Sequence, residues 1–325
     1  MKHLLKRLAG WTLLIIFLLS VLPYGIIIPA AAKFDPKPPF TESVIVDVDG
    51  VTLHYRLWNA QGEMRGKVLL VHGMGGSTYS WNKVAGPLAE AGFAVVAVDL
   101  PSFGYSDRNT RFDHSQASRS ALLWQLLDEI EEEWRMSDGD TRWSLAGHSM
   151  GGGTVAAMAM DRPGDVASLV LVAGALLENN PGAARTMLAY PPLGRWLAVI
   201  AQNFMFNEER IGGFLGSAYG REASQEETAG YLEPLRQPGT AQALARLVRT
   251  SRSEPLERLA QYQGPALAIW GAKDTWVPLA QAYEVKSSLP QLEITTIEDA
   301  YHVPMETHPE PFNTALLGFL LRYNP

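Results

Sequence analysis

The chain contains 325 residues, 47% of them hydrophobic, and its formal net charge at pH 7 is −7. This length fits one large domain with an insertion better than two equal domains. There is no cysteine, which excludes disulfides, a thiolate nucleophile and cysteine-ligated zinc. Residues 1–33 carry four bases and no acid, which leaves 23 bases against 34 acids in the remainder. An excess of acids of this size outside the first 33 residues argues against a nucleic-acid partner.

The amino terminus contains a long uncharged segment that is typical of a membrane-spanning helix. Residues 8–32 carry no charge, and three bases precede them: Lys2, Lys6 and Arg7. About 20 apolar residues cross a bilayer as a helix, and a basic flank stays on the cytoplasmic side. We therefore expect residues 1–32 to be a single-pass membrane anchor, with the rest of the chain outside the cytoplasm.

The alternative is a cleaved signal peptide, which would release a secreted or periplasmic protein. Ala30-Ala31-Ala32 resembles a cleavage site. The uncharged segment is longer than the usual apolar core of a signal peptide, about 7–15 residues. Its length therefore favours the uncleaved anchor.

A spacer and a β-hairpin follow the anchor. Residues 33–40 contain three prolines and predict a stiff, extended connection. Ser43–Val48 and Val51–Trp58 are β-branched and roughly alternating, and Asp49-Gly50 between them is a strong hairpin signal. We expect one folded domain over residues 41–325 that begins with this hairpin.

From residue 67 onward, short apolar runs alternate with helical patterns. The apolar runs are Lys67–Val71, Ala94–Val98, Trp143–Ala146 and Ala167–Val172. The helical patterns are Trp81–Ala91, Ser115–Trp134 and Met150–Met160. Buried parallel strands that alternate with helices form a doubly wound α/β sheet. We therefore predict an α/β fold whose sheet is mostly parallel, with the hairpin as its antiparallel edge.

The alternation is interrupted between about residues 176 and 263. This block contains helical stretches at Leu193–Phe206, Glu226–Leu235 and Ala241–Thr250. Strand and helix patterns then return at Ala266–Trp270, Pro278–Leu289, Leu292–Ile297 and Pro309–Tyr323. We expect the block to be a helical lid inserted between two strands of one sheet. Its dense apolar stretch Leu193–Phe206 is either lid core, or in part a lining of the substrate pocket or a contact with the bilayer.

One motif carries a candidate nucleophile. Gly147-His148-Ser149-Met150-Gly151 directly follows an apolar strand and directly precedes a helix rich in small residues. A sharp strand-to-helix turn of this kind lifts its serine clear of the sheet and is known as a nucleophile elbow. The following helix places its positive end beside a developing oxyanion. We therefore expect Ser149 to be the nucleophile and His148 to point away from it.

A serine hydroxyl needs a neighbouring base near neutral pH. His302 follows the last strand by a few residues, in a loop at the carboxyl edge of the sheet. His308 is the rival, but it precedes Pro309 at a helix start, a position typical of a surface or capping residue. We expect His302 to be the base.

The acid that orients the base should lie between nucleophile and base along the chain. Asp274, in Gly271-Ala272-Lys273-Asp274-Thr275-Trp276, follows a predicted strand and fits this order. Asp299 and Glu178 remain as alternatives. Asp299 is only three residues from His302 and is poorly placed to face its ring.

The oxyanion requires two backbone donors. Met150 follows the nucleophile and is one of them, and the other is expected in His72-Gly73-Met74-Gly75-Gly76, with Met74 favoured. This glycine-rich loop lacks the Lys and Ser/Thr that complete a phosphate-binding P-loop.

Five strings carry a resemblance to a known family: LLVHGMGGSTYSW, AVDLPSFGYSD, LAGHSMGG, IWGAKDTWVP and DAYHVPMETHP. Together they resemble the α/β-hydrolase superfamily in its lidded esterase and lipase branch. The resemblance implies the α/β-hydrolase fold, a Ser149–Asp274–His302 triad, and hydrolysis of a small-molecule carboxylic ester through an acyl-enzyme, without a metal or organic cofactor. With its anchor, the chain also resembles membrane-bound monoacylglycerol lipases. One departure is Ser102, where the family usually has glycine.

Two other functions remain open at this point. Carbon–carbon bond hydrolases of ring-cleavage products share the triad and the lid, but their first oxyanion loop usually reads Gly-Gly-Pro-Gly, unlike His72–Gly76. A non-catalytic binding module on the same fold would typically have lost a triad residue, whereas all three candidates are present here.

Overall fold

The computed structural model describes residues 2–28, 37–108, 111–134, 142–176 and 190–323. Within these ranges the strands are β1 (Ser43–Val48), β2 (Val51–Trp58), β3 (Gly66–Val71), β4 (Phe93–Val98), β5 (Trp143–His148), β6 (Val166–Val172), β7 (Ala266–Gly271) and β8 (Leu292–Ile297). The helices are α1 (Lys2–Gly25), α2 (Ala85–Glu90), α3 (Gln116–Trp134), α4 (Met150–Asp161), α5 (Pro191–Ile200), α6 (Glu208–Tyr219), α7 (Gln225–Leu235), α8 (Thr240–Thr250), α9 (Ala280–Ser288), α10 (Pro304–Thr307) and α11 (Pro309–Tyr323).

The strands form one eight-stranded sheet in the order β1-β2-β4-β3-β5-β6-β7-β8. The pairs β1–β2 and β2–β4 are antiparallel, and every later pair is parallel. All residues of β4, β5, β6 and β7 are buried, as expected for strands covered by helices on both faces. The predicted α/β fold and its antiparallel edge are confirmed.

Two tight turns follow the expected chemistry. Asp49 and Gly50 between β1 and β2 both have positive φ, at 49° and 76°, as a two-residue hairpin turn requires. Ser102, at the usual glycine position of the loop after β4, has a φ of 78°. It therefore adopts the left-handed backbone that glycine tolerates best. The Ser102 hydroxyl lies 3.2 Å from Nε2 of His114, so the serine side chain, which a glycine would lack, has a hydrogen-bonding partner.

The segment expected to be one helix over Trp81–Ala91 is divided. A 3₁₀ turn covers Thr78–Trp81, and α2 begins only at Ala85. The hydroxyl of Ser77 caps the 3₁₀ turn by accepting from the N–H of Tyr79 at 3.2 Å. A serine side chain that bonds to the backbone in this way competes with regular α-helix formation. This explains why the segment begins as a 3₁₀ turn at Thr78 and not as an α-helix at Trp81.

The helices α5 to α8 lie between β6 and β7 in the chain, within the block expected as a lid. The expected helix Leu193–Phe206 ends as an α-helix at Ile200 and continues as a π-helical turn, Ala201–Met205. Helix α6 was not predicted, because glycines at 212, 213 and 216 weaken its helical pattern. Its ends are nonetheless well defined, by the Asn207 side chain at the start and by left-handed Gly220 at the end.

Helix α1 matches the expected apolar segment at the amino terminus. Lys6–Gly25 is long and apolar enough to cross a membrane, with a mean hydropathy of 1.9 and only 6% of it buried. A signal sequence meets the same criteria. The helix ends at Gly25. The cleavage-like Ala30–Ala32 and the start of the proline-rich spacer lie outside the described residues.

Candidate active site

Ser149 occupies a strained turn between β5 and α4. Its backbone has φ 50° and ψ −117°, which an L-residue rarely adopts and which costs on the order of 1–3 kcal/mol. The N–H of Ser149 donates to Val172 O at 2.9 Å and ties the turn to β6. A Cβ on Gly147 would lie 2.3 Å from Gly151 O, and one on Gly151 would lie 2.3 Å from Val71 O. Both flanking glycines are therefore sterically required.

His302 and Asp274 lie together in the loops after β8 and β7. Nδ1 of His302 is 2.8 Å from Oδ2 of Asp274, and both residues are buried. The other carboxylate oxygen, Oδ1, accepts from the N–H of Trp276 at 2.8 Å and from that of Val277 at 3.0 Å. The carboxylate is thus held on one side by backbone donors, which leaves Oδ2 directed at the imidazole.

The rival residues have other partners. Asp299 has a side chain that is 79% exposed and accepts from Lys273 Nζ at 2.7 Å, and this hydrogen bond lowers the pKa of Asp299. Nδ1 of His308 lies 2.9 Å from the hydroxyl of Thr307. Glu178 lies outside the described residues.

Ser149 and His302 line the same cavity, together with Gly73 and Met74. A Cβ on Gly73 would lie only 3.0 Å from Cβ of Ser149, so the glycine-rich loop after β3 closely approaches the elbow. Met150 is the first residue of α4, where backbone N–H groups have no partner within the helix. The cavity holds about 50 Å³, far below the roughly 300–1,000 Å³ of ordinary ligand pockets. The site is therefore closed against a large substrate.

His148 does not point away from the site, contrary to expectation. Its Nε2 donates to the backbone carbonyl of His302 at 2.9 Å, and the two rings lie 4.8 Å apart. Burial lowers the pKa of His148 well below its ordinary value, so the ring stays neutral. As the last residue of β5, His148 faces the loop after β8 across the top of the sheet. It is a positioning residue for His302.

The carboxyl end of α6 contacts both the loop that carries Asp274 and the loop that carries His302. The N–H of His302 donates to Ala218 O at 3.0 Å, and Nε1 of Trp276 donates to the hydroxyl of Ser217 at 3.1 Å. The Trp276 ring lies 5.1 Å from the His302 ring. This part of the insertion is therefore built into the site.

The buried carboxyl of Glu306 connects the insertion to the rest of the domain near these contacts. Oε2 of Glu306 accepts from the hydroxyl of Tyr219, and Oε1 accepts from that of Tyr231 at 2.5 Å. The Tyr231 hydroxyl also lies 3.0 Å from that of Ser80. Burial raises the pKa of Glu306, and the hydrogen bonds from the two tyrosines oppose this effect. The network joins α6 and α7 to the turn after β3 and to the helix that follows His302.

A second Ser–His–Asp row occurs at the antiparallel edge. His54 lies between Ser43 and Asp99, with Nε2 2.9 Å from the serine hydroxyl and Nδ1 2.6 Å from the carboxylate. Asp99 also accepts from two backbone N–H groups, those of Thr78 and Tyr105. The row ties β1 and β2 to the loop after β4 and is an internal control for any test of Ser149.

In the described parts of the chain, no three His, Asp or Glu side chains come close enough to hold a metal ion. Ser149 instead shares its cavity with His302, whose imidazole is held by the Asp274 carboxylate. An imidazole paired with a carboxylate can transfer protons.

Comparison with known proteins agrees with this geometry. Residues 67–309 match the family model of the alpha/beta hydrolase fold. The chain therefore belongs to the α/β-hydrolase family and is a hydrolase of that type.

Among its relatives is the uncharacterized hydrolase YugF of Bacillus subtilis (strain 168), 27% identical over 84% of this chain and 96% of YugF. A 2-hydroxy-6-oxononadienedioate/2-hydroxy-6-oxononatrienedioate hydrolase of Pseudomonas putida is also 27% identical, over 82% of this chain and 91% of its own. A solved structure of a membrane phospholipase A, a bacterial virulence factor, is 23% identical, with a TM-score of 0.68 over 99% of both chains. That last likeness establishes the fold alone.

Sequence reasoning missed several residues around the site. Glu306, Tyr219 and Tyr231 carry no recognisable motif, because their meeting depends on the packing of an insertion on the His302 loop. Trp276 could have been noticed, since it lies two residues after Asp274 in a turn that the carboxylate caps.

Glu306 should make stability depend on pH in a specific direction. Because its folded pKa is raised, its stabilising contribution is fully present below its ordinary pKa and is lost as pH rises through the raised value. Glu306→Gln removes this titration. We expect the free energy of unfolding of the wild type to fall relative to that of the variant, by on the order of 1 kcal/mol or more, as pH rises from about 4 to 8.

Urea unfolding of both proteins at several pH values measures this difference. Glu310→Gln, at an exposed carboxyl four residues later in the first turn of α11, is the matched control and should show no such trend. A wild-type minus Glu306→Gln difference that stays constant with pH would contradict the assignment.

Proposed function

We propose that this hydrolase cleaves carboxylic esters with Ser149 as nucleophile, His302 as base and Asp274 as the acid that orients the base. The observation that carries the proposal is the 2.8 Å hydrogen bond between His302 and Asp274 beside a cavity that Ser149 also lines. The strained backbone of Ser149 supports it further, because such strain is concentrated at functional sites.

The chemistry follows from the hydrogen-bonding roles of each group. Nδ1 of His302 is engaged by Asp274, so Nε2 takes the proton as the Ser149 hydroxyl attacks the ester carbonyl. The backbone N–H groups of Met74 and Met150 stabilise the resulting oxyanion. His302 then gives the proton to the departing alcohol, which leaves an acyl-enzyme. Water attacks this ester and passes a proton to His302, which returns it to the Ser149 oxygen as the acid is released, so that the hydroxyl and the neutral imidazole are restored.

We further propose that the ester is lipophilic and that the chain stays anchored through residues 1–32, with the catalytic domain outside the cytoplasm. In this arrangement residues 33–40 are the spacer, and residues 41–325 are the catalytic domain with its lid at about 176–263. The apolar Lys6–Gly25 and its basic amino-terminal flank support the anchor and its orientation. The resemblance to membrane-bound lipases supports an acylglycerol-like substrate.

Carbon–carbon bond hydrolysis is the second candidate. The Pseudomonas putida relative, which is named as a 2-hydroxy-6-oxononadienedioate/2-hydroxy-6-oxononatrienedioate hydrolase, favours it. A series of p-nitrophenyl and glyceryl esters of increasing acyl length, run beside a vinylogous 1,5-diketone, distinguishes the two. Ester turnover without diketone turnover supports the first candidate.

Replacing the nucleophile should abolish turnover and covalent labelling together. We expect Ser149→Ala to lower kcat by about 10⁴ or more with the fold intact, because the hydroxyl that attacks the carbonyl is removed. A fluorophosphonate probe should label the wild type and not the variant. Ser43→Ala, at the second Ser–His–Asp row, is the control and should retain labelling.

Persistent labelling of a folded Ser149→Ala protein would refute the assignment.

The acid is tested in the same assay with two isosteric variants. Asp274→Asn should reduce turnover severely, while Asp299→Asn, which removes only an exposed pair with Lys273, should not. The reverse pattern would identify Asp299 as the acid.

Fractionation tests the anchor. We expect the full-length protein to remain in the membrane fraction after a carbonate wash and to keep its amino terminus by mass spectrometry. Arginine substitutions at Leu14 and Leu18 should release it, since each costs about 2.5–3.5 kcal/mol at the centre of a span. A mature wild-type chain that begins at Lys33 would instead identify a signal peptide.

A further inference from the structure

Helix α1 contains a proline that leaves one of its carbonyl groups without a helical partner. In an α-helix each carbonyl accepts from the N–H four residues later, and proline has no N–H. Pro23 therefore frees the carbonyl of Leu19. Nε1 of Trp196, on α5 of the insertion, donates to that carbonyl at 2.8 Å. The insertion thus supplies the hydrogen bond that the helix lacks.

Arg195 satisfies the next free carbonyls. Its Nε donates to Pro23 O at 3.1 Å, and its Nη2 donates to Ile26 O at 2.7 Å. A guanidinium at a helix carboxyl end also interacts favourably with the negative end of the helix dipole. One residue before α5, the hydroxyl of Tyr190 lies 2.7 Å from that of Ser20.

An apolar contact completes the attachment. Ile28, just after α1, is buried against a small cluster on α5 and α8: Ala198, Val199, Ala241 and Ala245. The polar and apolar contacts together fall on residues 19–28, which are the last turns of α1 and the residues just after it. This end of the helix is opposite its basic flank. The insertion is therefore fastened to the end of the anchor that leaves the membrane.

Past this attachment, the chain exposes large apolar side chains. Ile200 is 45% exposed, Phe204 is 64% exposed and Met205 is 47% exposed. They follow one another from the end of α5 through the π-helical turn. Adjacent apolar side chains left in water are unfavourable and mark a surface that another apolar phase covers.

We propose that these three residues, which we call the apolar ridge, are embedded in the outer interface of the same membrane that α1 crosses. The inference rests on the proposed anchor and adds to it the orientation of the domain. Lys6–Gly25 spans about 30 Å as a helix, so its contacts with the insertion begin at Leu19, about 9 Å inside the outer boundary of the hydrocarbon, and end just beyond that boundary. The attached side chains Tyr190, Arg195 and Trp196 are of types suited to that boundary.

The orientation has a consequence for substrate access. Phe214, which lines the Ser149 cavity, lies only nine positions after Met205. The embedded segment and the wall of the closed cavity are thus successive parts of the insertion. An ester dissolved in the bilayer would meet the segment adjoining the catalytic cavity without first dispersing in water.

The absence of cysteine permits a clean test. Phe204→Cys in the full-length chain is labelled with an environment-sensitive nitrobenzoxadiazole dye and reconstituted in phosphatidylcholine nanodiscs, with or without nitroxide-bearing lipid. Tyr283→Cys on α9, 60% exposed in the native chain, is the matched control. We expect the nitroxide lipid to remove most of the dye emission at position 204 and little of it at position 283.

Trp196→Phe, added to the Phe204→Cys protein, removes the donor to Leu19 while keeping an aromatic ring. We expect it to reduce the quenching at position 204, with fluorophosphonate labelling of Ser149 unchanged. Equal quenching at positions 204 and 283 would overturn the inference while the anchor stands. Energy transfer between dyes at position 204, without lipid quenching, would overturn it in favour of a second copy of the chain. Failure of the chain to remain in the discs would overturn both the anchor and the inference.

Discussion

The backbone of Ser149 is held at a φ of 50°, and the rest of the site depends on how that strained turn is supported. The turn hydrogen bonds to β6, and its two glycines allow β3 and α4 to approach within contact distance. A turn that costs on the order of 1–3 kcal/mol persists only when its surroundings determine it fully. The buried centre of the sheet provides such surroundings, and the loops that carry His302 and Asp274 emerge from the same edge.

His302 is held from three sides. Asp274 holds Nδ1 of its ring, while the backbone of His302 accepts from His148 and donates to Ala218. The last of these contacts comes from the insertion, so the insertion has two parts with different roles. The end of α6 is fixed by hydrogen bonds to the loops that carry Asp274 and His302, whereas α5 is fixed to the amino-terminal helix.

The sequence predicted the residues whose chemistry depends on local order. The Gly-His-Ser-Met-Gly motif between a strand and a helix was enough to predict the turn at Ser149, and chain order was enough to nominate Asp274 and His302. Residues that act across the fold were not predictable in this way. His148 was expected to point away, since its contact with His302 spans 154 positions of the chain. Helix α6 was missed because its glycines weaken the pattern, and with it the partners of Glu306 were missed.

The central claim is that Ser149 carries the acyl group during turnover. Rapid acid quench of the wild-type enzyme with excess p-nitrophenyl ester, followed by peptide mass spectrometry, tests it directly. The account predicts a burst of p-nitrophenol and an acyl mass increment on the peptide that contains Ser149. Steady turnover with neither a burst nor an acylated peptide, or an acyl group found on another residue, would contradict it.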